Sequence, residues 1–298
     1  MAAIEETRGD KIANCINYIL LFFILIITFY PLYFVVIASI SDPNLINSGK
    51  VILLPKGISF AGYRHIFDDP RIASGYFNTI FYTVFGTLIN LVVTIPAAYA
   101  LSRKDLVGRS AITIVFIITM FFSGGLIPTF LLMKGLHLLD TQWAILLLGA
   151  TNMTNIVIAR TFFQSTIPWE LQEAAKIDGC SDFRLFFTII LPLSSAIIAV
   201  LALFFAVAHW NNYFKALVYL RREKLFPLQL ILREMLIKSE FDAQMILTGD
   251  MATMNDQLKI AEQIKYGLII VSTLPIMMVY PFVQKFFVKG VMIGALKG

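Results

Sequence analysis

Six stretches of this chain carry no Asp, Glu, Lys or Arg: Ile12–Ser41, Ile72–Ser102, Ser110–Met133, Thr141–Ala159, Leu185–Phe214 and Tyr266–Gln284. Each reaches the roughly 17–25 residues that a helix needs to cross a ~30 Å hydrocarbon core. One charge at mid-bilayer costs about 2.5–3.5 kcal/mol on insertion scales, which is why such windows stay clean. Only 14% of the 298 residues are charged, against about 25% in soluble domains. The expectation is an all-α membrane protein with six transmembrane helices. The first run is too long for a signal-peptide core and ends in an indifferent cleavage site, Ile37–Ser41, so it reads as a retained span kinked at Pro31.

Lys and Arg in the short connectors set the orientation. Arg8 and Lys11 precede the first span; Arg103, Lys104 and Arg109 join the second to the third. Arg160, Lys176 and Arg184 flank the fourth connector, and Lys285, Lys289 and Lys297 follow the last span. With six spans all four groups share one face, while the turn from Lys134 to Asp140 has a single Lys. The topology expected is N-in and C-in. Lys215–Glu262 fits it least well, with seven basic and seven acidic residues on the outer side, but long segments are weakly governed by the rule.

Several functions lack their residues. There is no G-x-x-x-x-G-K-[ST] to cradle nucleotide phosphates, and His65, His137 and His209 have no metal spacing. No Ser or Cys sits in a nucleophile setting, and Cys15, at the start of the first span, and Cys180, in the loop before the fifth, are far apart and on the reducing side of the expected topology, which argues against a disulfide. The basic pI of about 9.1 belongs to the connectors rather than to a nucleic-acid patch. No carboxylate lies inside a span, which argues against proton- or sodium-coupled transport.

The mixed segment Ile167–Leu193 differs from everything around it. Pro168 suits the first turn of a helix, and Glu170 and Glu173 suit its positive dipole end. Leu171, Ala174, Ala175 and Ile177 form an apolar stripe. Gly179 supplies a left-handed helix end, and Pro192 marks a second break. The expectation is a short helix, a glycine turn and a second helix, presenting a shallow surface to another protein.

Glu173-Ala174-Ala175, three residues, Gly179, nine residues, then Ile189-x-Leu191-Pro192 resembles the EAA signature of permease subunits of type I ABC importers. That resemblance implies a cytoplasmic loop, at about 163–192, whose coupling helix sits in a cleft of an ATPase subunit. It implies roles for Glu170, Glu173, Ala174, Ala175, Asp178 and Gly179 in ATPase coupling, with Glu173 pairing a basic ATPase residue. It also implies a second homologous permease, two ATPase subunits that hold the ATP and Mg, and an extracellular, lipid-anchored sugar-binding protein. No cofactor is expected on this chain, and no nucleic acid partner.

The outer face holds further candidates. Phe60-Ala-Gly-Tyr63 resembles the entry to the family's transport core, so residues 1–75 read as an N-terminal span with its loop and 76–298 as a core of five spans. Asn78 either caps the second span or lines a path, with capping preferred. Phe121-Phe-Ser-Gly-Gly-Leu-Ile-Pro128 should break or bend the third span near its outer end. At the end of the fifth span, Trp210, Asn211, Asn212 and Tyr213, beside His209, offer aromatic faces and amides of the kind a sugar path uses; an interfacial aromatic belt with a helix-ending Asn pair is the other reading. The third span, and Tyr280-Pro-Phe with Phe287–Gly294, resemble lipoprotein-associated polysaccharide and maltose-type sugar permeases of Gram-positive bacteria. The function expected is the permease subunit, in the cell membrane, of an ATP-driven importer of an oligosaccharide or glycan fragment. A stand-alone secondary transporter, or a polytopic membrane enzyme or scaffold, is the alternative.

Overall fold

The computed structural model describes residues 7–246, 261–279 and 281. The C-terminal motif apart from Pro281, Lys285, Lys289, Lys297 and the 247–260 part of the outer segment lie outside them.

Among the described residues every regular element is helical. In chain order they are α1 (Arg8–Ser39), α2 (Pro43–Asn47), α3 (Ala61–Asp68), α4 (Arg71–Ser102), α5 (Arg109–Phe121), α6 (Leu126–Gly135), α7 (Gln142–Leu147), α8 (Met153–Thr166) and α9 (Trp169–Ile177). There follow α10 (Asp182–Leu185), a π turn (Phe186–Ile190), α11 (Leu191–Leu193), α12 (Ser195–Trp210), α13 (Phe214–Tyr219), α14 (Leu228–Ile246) and α15 (Ala261–Val279). Three of these, α1, α4 and α15, are individually long and apolar enough to cross a membrane. Two more spans arise if α5 with α6 and Asp182–Leu193 with α12 each count as one; the pairs bend by 111° and 78°.

The bends have local causes. Phe122–Gly125 interrupts the third apolar window where the Ser-Gly-Gly run and Pro128 expect it. The fifth bends just after Pro192, at Ser194, where α11 ends. The fourth window departs from expectation. Thr141–Ala159 is not one helix but α7 and α8 separated by Leu148–Asn152. Gly149 there has φ +85°, and Asn152 restarts the helix by accepting the Asn155 N–H on its side chain, 3.2 Å. Residues 160–166 also remain helical within α8. Asn78 lies two turns inside α4, whose N-cap is Pro70, so it does not cap that helix.

The chain divides into two compact units: Met1–Asp69 with Glu234–Thr273, and Pro70–Arg233 with Leu274–Gly298. The first is tied by buried Gln263, which accepts the Gly62 N–H (3.3 Å) and donates to the Ser41 carbonyl (3.1 Å). Asn47 donates to the Glu262 carboxylate at 2.8 Å. In the second, α4 is the axis, and α8 and α12 pack most heavily on it. Its core runs from Ile95, Ala98 and Tyr99 through Ile156 and Phe163 to Leu185, Phe186, Ile190, Leu201 and Phe205.

Candidate coupling site and pathway residues

The α9 segment is rooted in that core through one side. Ala175 and Gln172 are buried and Leu171 is half-buried, whereas Glu170, Glu173, Ala174, Ile177, Asp178 and Gly179 are exposed. The two adjacent alanines therefore divide: Ala175 packs into the core and Ala174 faces out. Ile177 is 86% exposed and Phe183, just past the turn, 80%. Two large apolar groups left in the open at a loop tip are costly unless something covers them.

The turn itself is locked. The N–H of Cys180 donates to the Ala175 carbonyl (2.9 Å) and that of Gly179 to Lys176 (3.0 Å), closing α9 with a Schellman-type end. Gly179 adopts φ +71°, where a side chain is strained. Ser181 opens α10 by accepting the Arg184 N–H. Trp169 Nε1 donates to the Glu173 carboxylate at 2.7 Å, which leaves the other carboxylate oxygen outward.

An ionic cluster the sequence reading did not find fixes this loop to the α4–α5 connector. Arg103 contacts Asp105 (2.6 Å) and Asp182 (2.7 Å), and Lys176 contacts Asp105 at 2.7 Å. Arg103 is 11% exposed and Asp182 65%. Hydrogen bonds from Arg103 and then Lys176 hold the Asp105 carboxyl well below the usual carboxylate range. Tyr99 of α4 packs beneath, edge-on to Phe163 with ring centroids 5.6 Å apart and tilted against Phe186 at 5.2 Å, and Lys104 lies 5.7 Å over the Trp169 ring. The sequence uses Arg103 and Lys176 for topology alone, and nothing local pairs them with Asp105 and Asp182, which lie 2 to 79 residues away.

The outer candidates are held differently. Asn78 is buried, and its amide donates to the carbonyls of Lys224 (2.7 Å) and Phe226 (3.0 Å). Thr79 accepts the Leu228 N–H at 2.8 Å, and Tyr82 donates to the Leu225 carbonyl at 2.9 Å. Asn90 donates to the carbonyls of Gly149 and Ala150 and meets His209 at 2.7 Å. Trp210 is buried beside His209. Asn211 turns back to the Val207 carbonyl, 3.0 Å, and Asn212 accepts the Lys215 N–H, 3.2 Å. Tyr213 is exposed, 5.3 Å under the Arg233 guanidinium. The structure thus brings His209 and Asn90 together, sets Asn78 about three turns of α4 away from Asn90, and leaves Tyr213 facing out.

Residues 72–293 match the family described as the binding-protein-dependent transport system inner membrane component. The chain belongs to that family. It is 41% identical over 290 residues to the polygalacturonan/rhamnogalacturonan transport system permease protein YtcP of Bacillus subtilis, covering 97% of this chain and 99% of that one. It is 38% identical over 294 residues to protein LplC of the same organism, covering 99% and 98%. Among solved structures it resembles that of a bacterial ABC transporter involved in the import of the acidic polysaccharide alginate. The TM-score is 0.80 at 35% identity, over 96% of this chain and 100% of that one. The protein is the membrane permease of a binding-protein-dependent ABC importer. ATP hydrolysis and substrate capture in such a system rest on partner subunits, and the Glu173–Pro192 signature lies in a permease of the type it resembles.

Proposed function

We propose that this permease spans the plasma membrane of a Gram-positive bacterium six times, N-in and C-in, with α7 and α8 making up the fourth crossing. It pairs with a second, homologous permease and moves an oligosaccharide inward. The substrate is a uronate-containing glycan fragment, a reading supported by relatives named for polygalacturonan and for alginate. Two partner ATPases bind the ATP and Mg, and a lipid-anchored binding protein delivers the sugar. Residues 1–75 add a span to a core running from 76 to the C-terminus.

The observation that carries the coupling role is the outward tip of α9: Ala174, Ile177 and Phe183 exposed beside Glu173, on a turn locked by Gly179 and anchored through Arg103. A short rigid helix with a bare apolar tip and a ring of charge fits a cleft in another protein. Closure of two such clefts would pull α9 and, through Arg103, the α4–α5 connector. Glu173 offers its free oxygen to a basic group in the cleft, and Asp178 and Gly179 shape the turn. Beyond the middle of α4, where His209 meets Gly86 and Asn90, Trp210, Asn211, Asn212 and Tyr213, with Asn78 as a scaffold residue, form part of the path wall.

Mild solubilisation of the tagged chain followed by mass spectrometry tests the assembly. Recovery of a Walker-motif ATPase and a second polytopic permease is the expected result; the captured binding protein is then titrated with oligogalacturonides and neutral oligosaccharides. Recovery of this chain alone, in several mild detergents and in nanodiscs, would overturn the reading.

A further inference from the structure

One charged feature borders the coupling loop, sharing only Lys104 with it, and stands apart from the outer residues. An open concavity of about 790 Å³ lies where α5 begins, lined by Lys104, Gly108, Arg109, Ser110, Thr113 and Arg160 among others. It contains three cations, and no carboxylate lines it. Asp105, the acid closest in sequence, is already bound by Arg103 and Lys176. Arg160 shares the lining with Arg109, and its Nε is buried without a hydrogen-bond partner. Like charges held this close, with one donor orphaned, are unfavourable unless an anion joins them. The start of α5 adds to the field: Gly108 precedes it with no side-chain cap, and Ser110 and Ala111 line the concavity at the positive end of a thirteen-residue helix.

The surroundings say which anion. Ile114 lines the concavity and is more than half exposed, as is Val115, and Ile118 one turn farther along α5 is half exposed. The cationic site therefore opens at the foot of a bare apolar helix face in a charge-free span. A ligand with a phosphate at one end and hydrocarbon at the other matches both halves.

We propose that this concavity binds the phosphodiester of an anionic phospholipid, of the phosphatidylglycerol type, with Arg160, Arg109 and Lys104 on the phosphate and the acyl chains along α5. The site is separate from the transported substrate and meets the coupling loop only through Lys104, which lies over the Trp169 ring. Its failure would leave those readings untouched.

The test is native mass spectrometry of the purified full chain, with whatever subunits it carries, titrated with phosphatidylglycerol and with phosphatidylcholine of identical acyl chains. Phosphatidylglycerol should be retained in preference. Arg160→Gln should weaken it about fivefold, as should Lys104→Gln, in line with the usual contribution of one basic residue near a membrane phosphate. Lys104 is exposed, so its variant reports even if Arg160→Gln folds poorly. Inorganic phosphate is added in a parallel arm. Binding of free phosphate that depends on Arg160, without preference between the lipids, would overturn the lipid source. Equal retention of both lipids, or adducts unchanged in both variants, would overturn the site.

Discussion

The two ends of α4 solve opposite problems. The helix has 32 residues, about 48 Å of axis. At its C-terminal end, Arg103 reaches partly exposed carboxylates on a loop. At its N-terminal end, Asn78, Thr79 and Tyr82 hold buried main-chain groups of residues 224–228. An exposed ion pair is worth about 0–1 kcal/mol and exchanges partners readily. A buried carbonyl stripped of its donor costs about 1–3 kcal/mol. One end is held by groups that water can also satisfy, the other by groups that water does not reach.

The largest effect should come from the coupling end. Gly179→Pro forbids φ +71° and deletes the N–H that closes α9 on Lys176. Uptake should fall by more than tenfold while the protein still reaches the membrane, because the strain falls on an exposed loop tip where nothing lies within 4 Å of a Cβ. Unchanged uptake in membranes of equal permease content would remove the coupling role.

The fixed end should answer in stability instead. Asn78→Ala orphans the Lys224 and Phe226 carbonyls and should lower unfolding stability by about 1–3 kcal/mol per group left dry. ATPase association should be retained. Loss of ATPase co-purification with unaltered stability would invert the assignment of the two ends. Between them lies Gly86, where a Cβ would come within 2.4 Å of the His209 ring. Gly86→Ala should cost about 1–3 kcal/mol by overpacking α4 against α12, read as a lower unfolding midpoint of the purified protein. A shift no larger than that of an exposed substitution would mean the ring can swing aside.

The same contrast explains what the sequence made legible. Pro168, Gly179 and Pro192 act on their own neighbours, so the helix, turn and second helix of the loop could be read directly, as could the break at Phe122–Gly125. Charge-free windows correctly placed α1 and α4, but they report composition and not continuity. They therefore missed the interruption at Leu148–Asn152, although Gly149 and an Asn152 fit to cap a new helix are local signs of it. Asn78 was misplaced as a cap because its partners are 146 and 148 residues away. The outward turn of Ala174 and inward turn of Ala175 depend on where the core lies, and adjacent identical residues carry no mark of that.

The smallest effect is the most discriminating. A double-mutant cycle between Arg103→Gln and Asp182→Asn should give a coupling energy of about 0.3–1 kcal/mol, because Asp182 is largely exposed. The interaction should fade in 1 M salt, where the Debye length is about 3 Å. Asp105, which shares Arg103, has its pKa depressed below 3.8 in the folded state. Its contribution is therefore complete above that value and is lost only as pH falls through the depressed one. The contribution of the Arg103–Asp105 pair should therefore be the same at every pH from about 5 to 8. If salt abolishes the coupling energy and uptake falls with it, the Arg103 cluster transmits the movement of α9 to α4. If the coupling energy disappears while uptake is unchanged, the cluster is a surface contact and transmission runs through the buried path of Tyr99, Phe163 and Phe186 instead.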